Sequence, residues 1–321
     1  MLEKIKYPNI NAKLKGMYAK TLTKEDIEDL LKQNTRKDAI IILKSKMPPL
    51  DDLNVDAKRI ELESKLDRVI VNDINKIYRY LDSKTKNVFD SYILKYKIRI
   101  LKIIWKDLNV GKREQEIEEF KTWKIIFKDL ENFINVKDAE EFLKNIEEEE
   151  LKNIFENNKN TFELDNMLTK YYFEKFYLIA KESSKKLKNI ISAQIDLINI
   201  SSIYRCKKYY GFYDKKYFIN YGKKIKIKTI QDVENIQSLQ DERYILENKK
   251  NKEIVESSIY DNSKKYIYEK YKKVFIQDQY DISSIIAYFY MKEIEKSNII
   301  SIIEGIRYKL SKEEIQRQVI I

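Results

Sequence analysis

From Ser284 to Arg307 the apolar residues Ile285, Phe289, Ile299, Ile302, Ile303 and Ile306 recur at intervals of three and four over much of the span. That spacing is the stripe of an amphipathic helix. The same stripe runs through Tyr92, Tyr96, Ile100, Ile103 and Ile104 and predicts a helix from Tyr92 to Leu108. Pro48–Pro49 breaks a first helical region, after which Leu53, Ile60, Leu62, Leu66, Ile70 and Ile77 supply the buried side of a helix from Asp51 to Tyr80. Asp138 to Phe155 reads as an acidic helix whose Glu147–Glu150 run is a solvated face. Phe162 to Leu187 is amphipathic and dense in aromatics, and Tyr172, Phe173, Phe176 and Tyr177 read as core packing rather than as a platform for stacking bases. Further helices are expected over Ile195–Tyr209 and Lys264–Tyr280, with Tyr210–Lys228 loop-rich between them. Thr23 with Asp26, Thr229 with Asp232 and Ser311 with Glu314 each place a hydroxyl three residues before a carboxylate, which marks a helix start.

The stripes also repeat one another. IDLINISSIYRCK from Ile195, EKSNIISIIEGIR from Glu295 and the more degenerate KYKIRILKIIWKD from Lys95 align at a spacing of 99 residues. In that alignment Ile100, Asn199 and Asn298 share one position, and Asp107, Cys206 and Gly305 share another. A short fourth copy at the amino terminus gives Asn9 and Gly16 the spacing of Asn298 and Gly305. A period near one hundred exceeds that of solenoid units and suits a small domain present about three times. The expected organisation is a partial repeat over residues 1–17 that packs with the carboxyl-terminal unit, then helical units over 18–115, 116–214 and 215–321. Asn9 to Gly16 is expected to lie near Asn298 to Gly305. Asn199 and Asn298, polar beside an apolar stripe, are expected to fix register by hydrogen bonding. Gly305 within a helix costs about 1 kcal/mol against Ala, which points to a close approach or a helix end. Arg205 and Lys207 are placed to meet helix carbonyls or an acidic partner, and a structural role suits both.

Composition narrows the chemistry. The chain has no histidine and a single cysteine, Cys206, which removes the commonest general base, His-dependent triads, Cys/His zinc sites and disulfides. Its five glycines, at 16, 111, 211, 222 and 305, are too scattered for a phosphate-binding loop. Three prolines and few glycines in a chain with 36% charged residues favour an all-α fold over a turn-dense β architecture. No catalytic, cofactor-binding or metal-ligating residue is identified, and no cofactor is expected. The longest apolar runs, Ile285–Met291 and Ala39–Leu43, fall far below the roughly 18 residues a spanning helix needs. The first residues lack the apolar core of an export signal, so a cytoplasmic location is expected. The net charge of +11 arises from 63 basic residues dispersed among 52 acidic ones, so lysine reads as the default polar residue. Only Tyr204–Lys228 concentrates lysine and aromatics, opposed by Asp214 alone. Such a segment suits nucleic acid, an anionic membrane surface or an acidic partner.

With the repeat in view, KEIEKSNIISIIEGIRYKLSKEEI, Lys292 to Ile315, resembles the last helix pair of the C subunit of V-type (A-type) ATP synthases, a relative of the d subunit of the eukaryotic vacuolar proton pump. That family carries the pattern Asp-x-x-Asn-aliphatic-x-x-aliphatic-aliphatic-Arg-x-Lys once per repeat. Asp196, Asn199, Ile200, Ile203, Arg205 and Lys207 match it, with Tyr204 as an aromatic variant. The middle copy departs at Lys97, Ile100 and Lys106, and the last keeps Asn298 and Gly305 but has Glu295 and Glu304 at the charged positions. Leu164 to Lys181 is similar to the family's aromatic helix, and the likeness extends from Tyr7 to Ile315. The resemblance implies a funnel of three similar helical domains around a pseudo-threefold axis, without activity or small-molecule substrate of its own. It implies central stalk subunits and the membrane proteolipid ring as partners, with peripheral contact on the cytoplasmic face of the membrane. A basic helical nucleic-acid-binding module is the alternative from another class.

Overall fold

In the computed structural model, residues 3–110, 118–133, 135–158, 160–223, 259–278 and 281–321 are described. Among the described residues no strand is present. The helices are α1 (Glu3–Tyr18), α2 (Lys24–Leu31), α3 (Arg36–Lys46), α4 (Arg59–Tyr78), α5 (Ser83–Val110), α6 (Glu118–Trp123) and α7 (Ala139–Lys144). They continue with α8 (Glu149–Asn157), α9 (Thr161–Ala180), α10 (Lys185–Tyr210), α11 (Ile259–Gln277), α12 (Ile282–Arg307) and α13 (Lys312–Gln318). Tighter 3-10 turns occupy Pro48–Leu50, Lys128–Phe133 and Lys215–Tyr217.

The fold is all-α, as the periodicity predicts, and α5, α10 and α12 are the helices of the three repeat copies. The capping boxes at Thr23–Asp26 and Ser311–Glu314 are both made in full, hydroxyl to amide and carboxylate to amide. The third, Thr229–Asp232, lies outside the described residues. Three helix limits differ from expectation for local reasons. The helix expected from Asp51 begins only at Arg59, because the Asn54 side chain accepts the Asp56 amide at 2.9 Å, a local turn that competes with helix. Ile60 is then 65% exposed rather than buried, since two residues on from it Leu62 faces nearly the opposite side of the helix. The acidic segment divides into α7 and α8 around Asn145–Glu148. Glu148 is not simply solvated there, for both its carboxylate oxygens accept from Lys175 Nζ, at 2.6 and 2.5 Å. The aromatic stretch to Leu187 is likewise two helices, with Ser184 Oγ accepting the Leu187 amide at 3.1 Å to start α10.

Two large cores form. The first gathers α1, α5, α9, α10, α11, Ile70–Ile77 of α4 and Ile282–Ile294 of α12. The second takes Ile27 to Leu31 of α2, α3, Leu62–Val69 of α4, Ile299–Ile306 of α12 and Ile315 of α13. Both α4 and α12 therefore run through the two cores. A smaller cluster of Ile200, Ile203, Cys206, Tyr213, Tyr217 and Phe218 closes the end of α10. Helix α1 lies along α12, but not at the expected place. Ser284 Oγ donates to Asn11 Oδ1 at 2.7 Å and the Leu22 amide donates to Glu295 Oε1 at 2.7 Å, both at an offset of 273 residues. Asn9–Gly16 thus lies beside the first half of α12, and the chain reaches the second half only beyond α1.

Candidate functional site

The repeat position shared by Asn199 and Asn298 has the same geometry in both helices. Asn199, 1% exposed, donates from Nδ2 to the carbonyl of Ile219 at 2.8 Å and accepts the Ile219 amide on Oδ1 at 2.9 Å. Asn298 does the same to Ile320, at 2.6 and 3.0 Å. A primary amide carries donor and acceptor side by side, so it can satisfy both polar groups of one peptide residue. The local sequence brings that residue back. Gly211 after α10 (φ 78°) and Lys309 after α12 (φ 56°) turn the chain through the left-handed region. A short capped helical turn follows in each case, started by Asp214 and by Ser311. The carboxylate one turn before each asparagine holds a further backbone amide, Asp196 that of Lys223 in the returning segment at 3.1 Å and Glu295 that of Leu22, which follows α1. The spaced carboxylate and asparagine of the repeat are therefore backbone-binding in both helices, and each asparagine with its peptide residue is a clamp.

The other two copies lack it. In α5, fully buried Ile100 stands at the asparagine position and Lys97 pairs with Asp129, while Tyr96 stacks on Trp123 at 3.8 Å between ring centres. At the amino terminus Asn9 is exposed and Gly16 has open space around it. Gly305, by contrast, is needed: a Cβ there would come within 2.6 Å of Ile315 Cγ1. Cys206, at the same repeat position, is buried against the small cluster, and burial pushes its thiol pKa up. Arg205 donates to the Ser201 carbonyl one turn back, at 3.3 Å. Glu304 is buried with Arg307 at 3.0 Å and Arg36 at 3.9 Å.

A second constellation was not anticipated from the sequence. Asp67 of α4, with 0% exposure, accepts from Lys296 of α12 at 2.6 Å and from Arg99 of α5 at 3.2 Å. Glu293 of α12 accepts from Lys95 at 2.6 Å and from the hydroxyls of Tyr92 and Tyr96, at 2.8 and 2.5 Å. Asp73 of α4 accepts from Tyr288 of α12 at 2.6 Å. These contacts tie α4, α5 and α12 into one polar seam. Burial pushes the Tyr92 and Tyr96 pKa values well above the usual phenol range, reinforced by the Glu293 charge, and burial lowers that of Lys95. The available signals were Asp67 beside the apolar stripe of Leu66 and Ile70, and Lys95 and Arg99 sharing a helix face with Tyr92 and Tyr96.

The family model for the ATP synthase (C/AC39) subunit matches residues 10–318, a range that holds the Asn199 clamp, the whole seam and Asn298, though not its partner Ile320. The chain belongs to this family. No curated protein gives a significant match. As an ATP synthase (C/AC39) subunit the chain is a V-type ATP synthase component, of a family whose members are structural subunits of a membrane-associated complex. The cavity between Tyr18, Leu22, Lys292, Glu295 and Asn298 measures about 60 Å³, well below the roughly 300 Å³ of the smallest usual ligand pockets. Among the described residues no cluster of three or more His, Cys, Asp or Glu could hold a metal, and no helix is long and apolar enough to cross a membrane.

The aromatics of α9 are core in this ATP synthase subunit, with Tyr172, Phe176 and Tyr177 buried and Tyr172 donating to the Tyr92 carbonyl at 3.0 Å. The basic segment splits. Tyr213, Tyr217 and Phe218 are buried, and Lys216 pairs with Glu163 at 3.2 Å and Asp214 at 3.4 Å. Tyr209, Tyr210, Phe212, Lys215 and Lys223 are exposed, while residues 224–228 and the side chains of Tyr204, Lys207 and Lys208 lie outside the described residues.

Proposed function

We propose that this chain is the non-catalytic subunit that links the central stalk of a V-type ATP synthase to its membrane rotor ring, so that ATP hydrolysis or synthesis is coupled to proton or sodium transport. The observation that carries the reading is the family match over residues 10–318. The clamps and the seam support it, because a part that transmits torque needs helices that cannot slide past one another, and paired polar contacts between helices in and beside the core oppose such sliding. In this reading the units over 18–115, 116–214 and 215–321, with residues 1–17 packing on the last, surround a pseudo-threefold axis as a funnel. The partners are the central stalk subunits and the proteolipid ring, and the chain sits peripherally on the cytoplasmic face of the membrane. Nothing in the family match or in the described residues favours nucleic acid as a ligand. The test is a pull-down of the chain from detergent extracts of its native membranes. Proteolipid and central stalk subunits are both expected in the eluate; recovery of neither, with the chain folded and monomeric, overturns the proposal.

A further inference from the structure

The end of α10 carries a surface that the proposed partners do not account for. Tyr209, Tyr210 and Phe212 are 69%, 55% and 64% exposed, three large aromatic side chains within four residues in a protein that buries most of its rings. Gly211 between them adopts φ 78°, and a Cβ added there meets nothing within 4 Å. The Tyr210 ring leans on Phe162 at 4.4 Å between centres and still leaves over half of the residue in solvent. Arg205, one helical turn before Tyr209, and Lys215 just beyond Phe212 are exposed as well. Between residues 205 and 216 the sequence holds Arg205, Lys207, Lys208, Lys215 and Lys216 against Asp214 alone. Asp214 is already engaged, capping the Lys216 amide at 2.9 Å and pairing with its ammonium.

We propose that this aromatic and basic knuckle docks on an anionic lipid surface. Tyrosine has an apolar body and a polar tip and settles at the headgroup level of a bilayer, where lysines nearby gain from anionic headgroups. An acidic protein partner fits less well. Protein interfaces deplete lysine and seat aromatic or arginine anchors in complementary pockets, whereas four of the five cations in this stretch of sequence are lysine.

The test measures sedimentation of the full chain with vesicles of phosphatidylcholine alone and of phosphatidylcholine mixed with phosphatidylserine, at low and at physiological salt. Binding to the mixed vesicles is expected, weakening with salt, and little binding to the neutral ones. The triple variant Tyr209→Ser, Tyr210→Ser, Phe212→Ser should bind at least tenfold more weakly. Arg205→Gln with Lys215→Gln should lose roughly fivefold per charge at low salt and show a flatter salt dependence. Ile125→Ser, at an exposed apolar site elsewhere, should change nothing. All six positions are exposed, so thermal melts close to wild type are expected and would show that the variants remain folded. Absence of binding to the mixed vesicles at low salt overturns the proposal, as does binding that neither variant weakens. Soluble polyglutamate binding as tightly as the mixed vesicles would also overturn it, since the surface would then belong to an acidic chain.

Discussion

Asn199 and Asn298 each hold one peptide residue by both of its polar groups. Replacing the amide by a methyl leaves a buried N–H and C=O without partners, at about 1–3 kcal/mol for each group. Asn199→Ala is therefore expected to lower the unfolding free energy by about 2–6 kcal/mol. Asn298→Ala should cost less, because its bonds to Ile320 are only part-buried and water can reach them. Asn199→Asp loses the donor and sets a carboxylate against the Ile219 carbonyl in a buried site, so at neutral pH it should cost at least as much as Asn199→Ala. Urea titration of the three variants measures this; losses below about 0.5 kcal/mol at both positions would show that the clamps do not hold. The asparagines were legible in the sequence because a polar residue recurs at one position on an apolar stripe. Their partners were not. Ile219 and Ile320 lie 20 and 22 residues further on, and no side-chain pattern marks a backbone peptide as something to be bound. Gly305 was legible as a close approach for the same reason that Ile315 was not: a glycine inside a helix needs an excuse, whereas an isoleucine can pack anywhere.

At the scale of elements, Asp67 joins three helices through one carboxylate. Removing it leaves Lys296, whose side chain is 14% exposed, buried without its counter-charge, while Arg99 at 36% can turn toward water. Asp67→Ala is expected to cost about 3–5 kcal/mol. Adding Lys296→Met to it should recover a large part, since the stranded charge is then gone. A double-mutant cycle on denaturant unfolding measures the coupling, and strictly additive losses would remove the seam from the account. The long helices could be read from their three- and four-residue spacing, but several of their ends could not. Asn54 and Ser184 stop or start helices through hydrogen bonds to nearby amides, and such contacts leave no periodic trace. Asp67 itself escaped notice because a carboxylate on a charged helix reads as solvent-facing until the cations of two other helices are seen beside it.

For the whole molecule, Tyr92, Tyr96, Tyr172 and Tyr271 have pKa values pushed well above the usual phenol range, first by burial and then by nearby Glu293 or tyrosine hydroxyls. The native state keeps protons that the unfolded chain releases above about pH 10, so stability falls as pH rises past that point, by about 1.4 kcal/mol per unit for each tyrosine. Lys95 acts in the other direction, but only below its ordinary value near 10.5, and one lysine is outweighed by four tyrosines. The melting temperature is expected to hold below pH 10 and fall steeply above it. The exposed tyrosines should ionise first, and the last phenolate absorbance should appear together with unfolding; complete ionisation of a chain still folded would contradict this. That the chain is all-α was plain from its stripes, and its family from their order. The sharing of two cores by α4 and α12 was not legible, because a repeat shows which segments are alike and not which of them touch. The clamps have a mechanical consequence at this scale. Each holds its peptide by two bonds side by side on a single amide, so drawing the returning segment off its helix must rupture both in one event, as in a shear joint, with no sequence of weaker steps by which it could unzip.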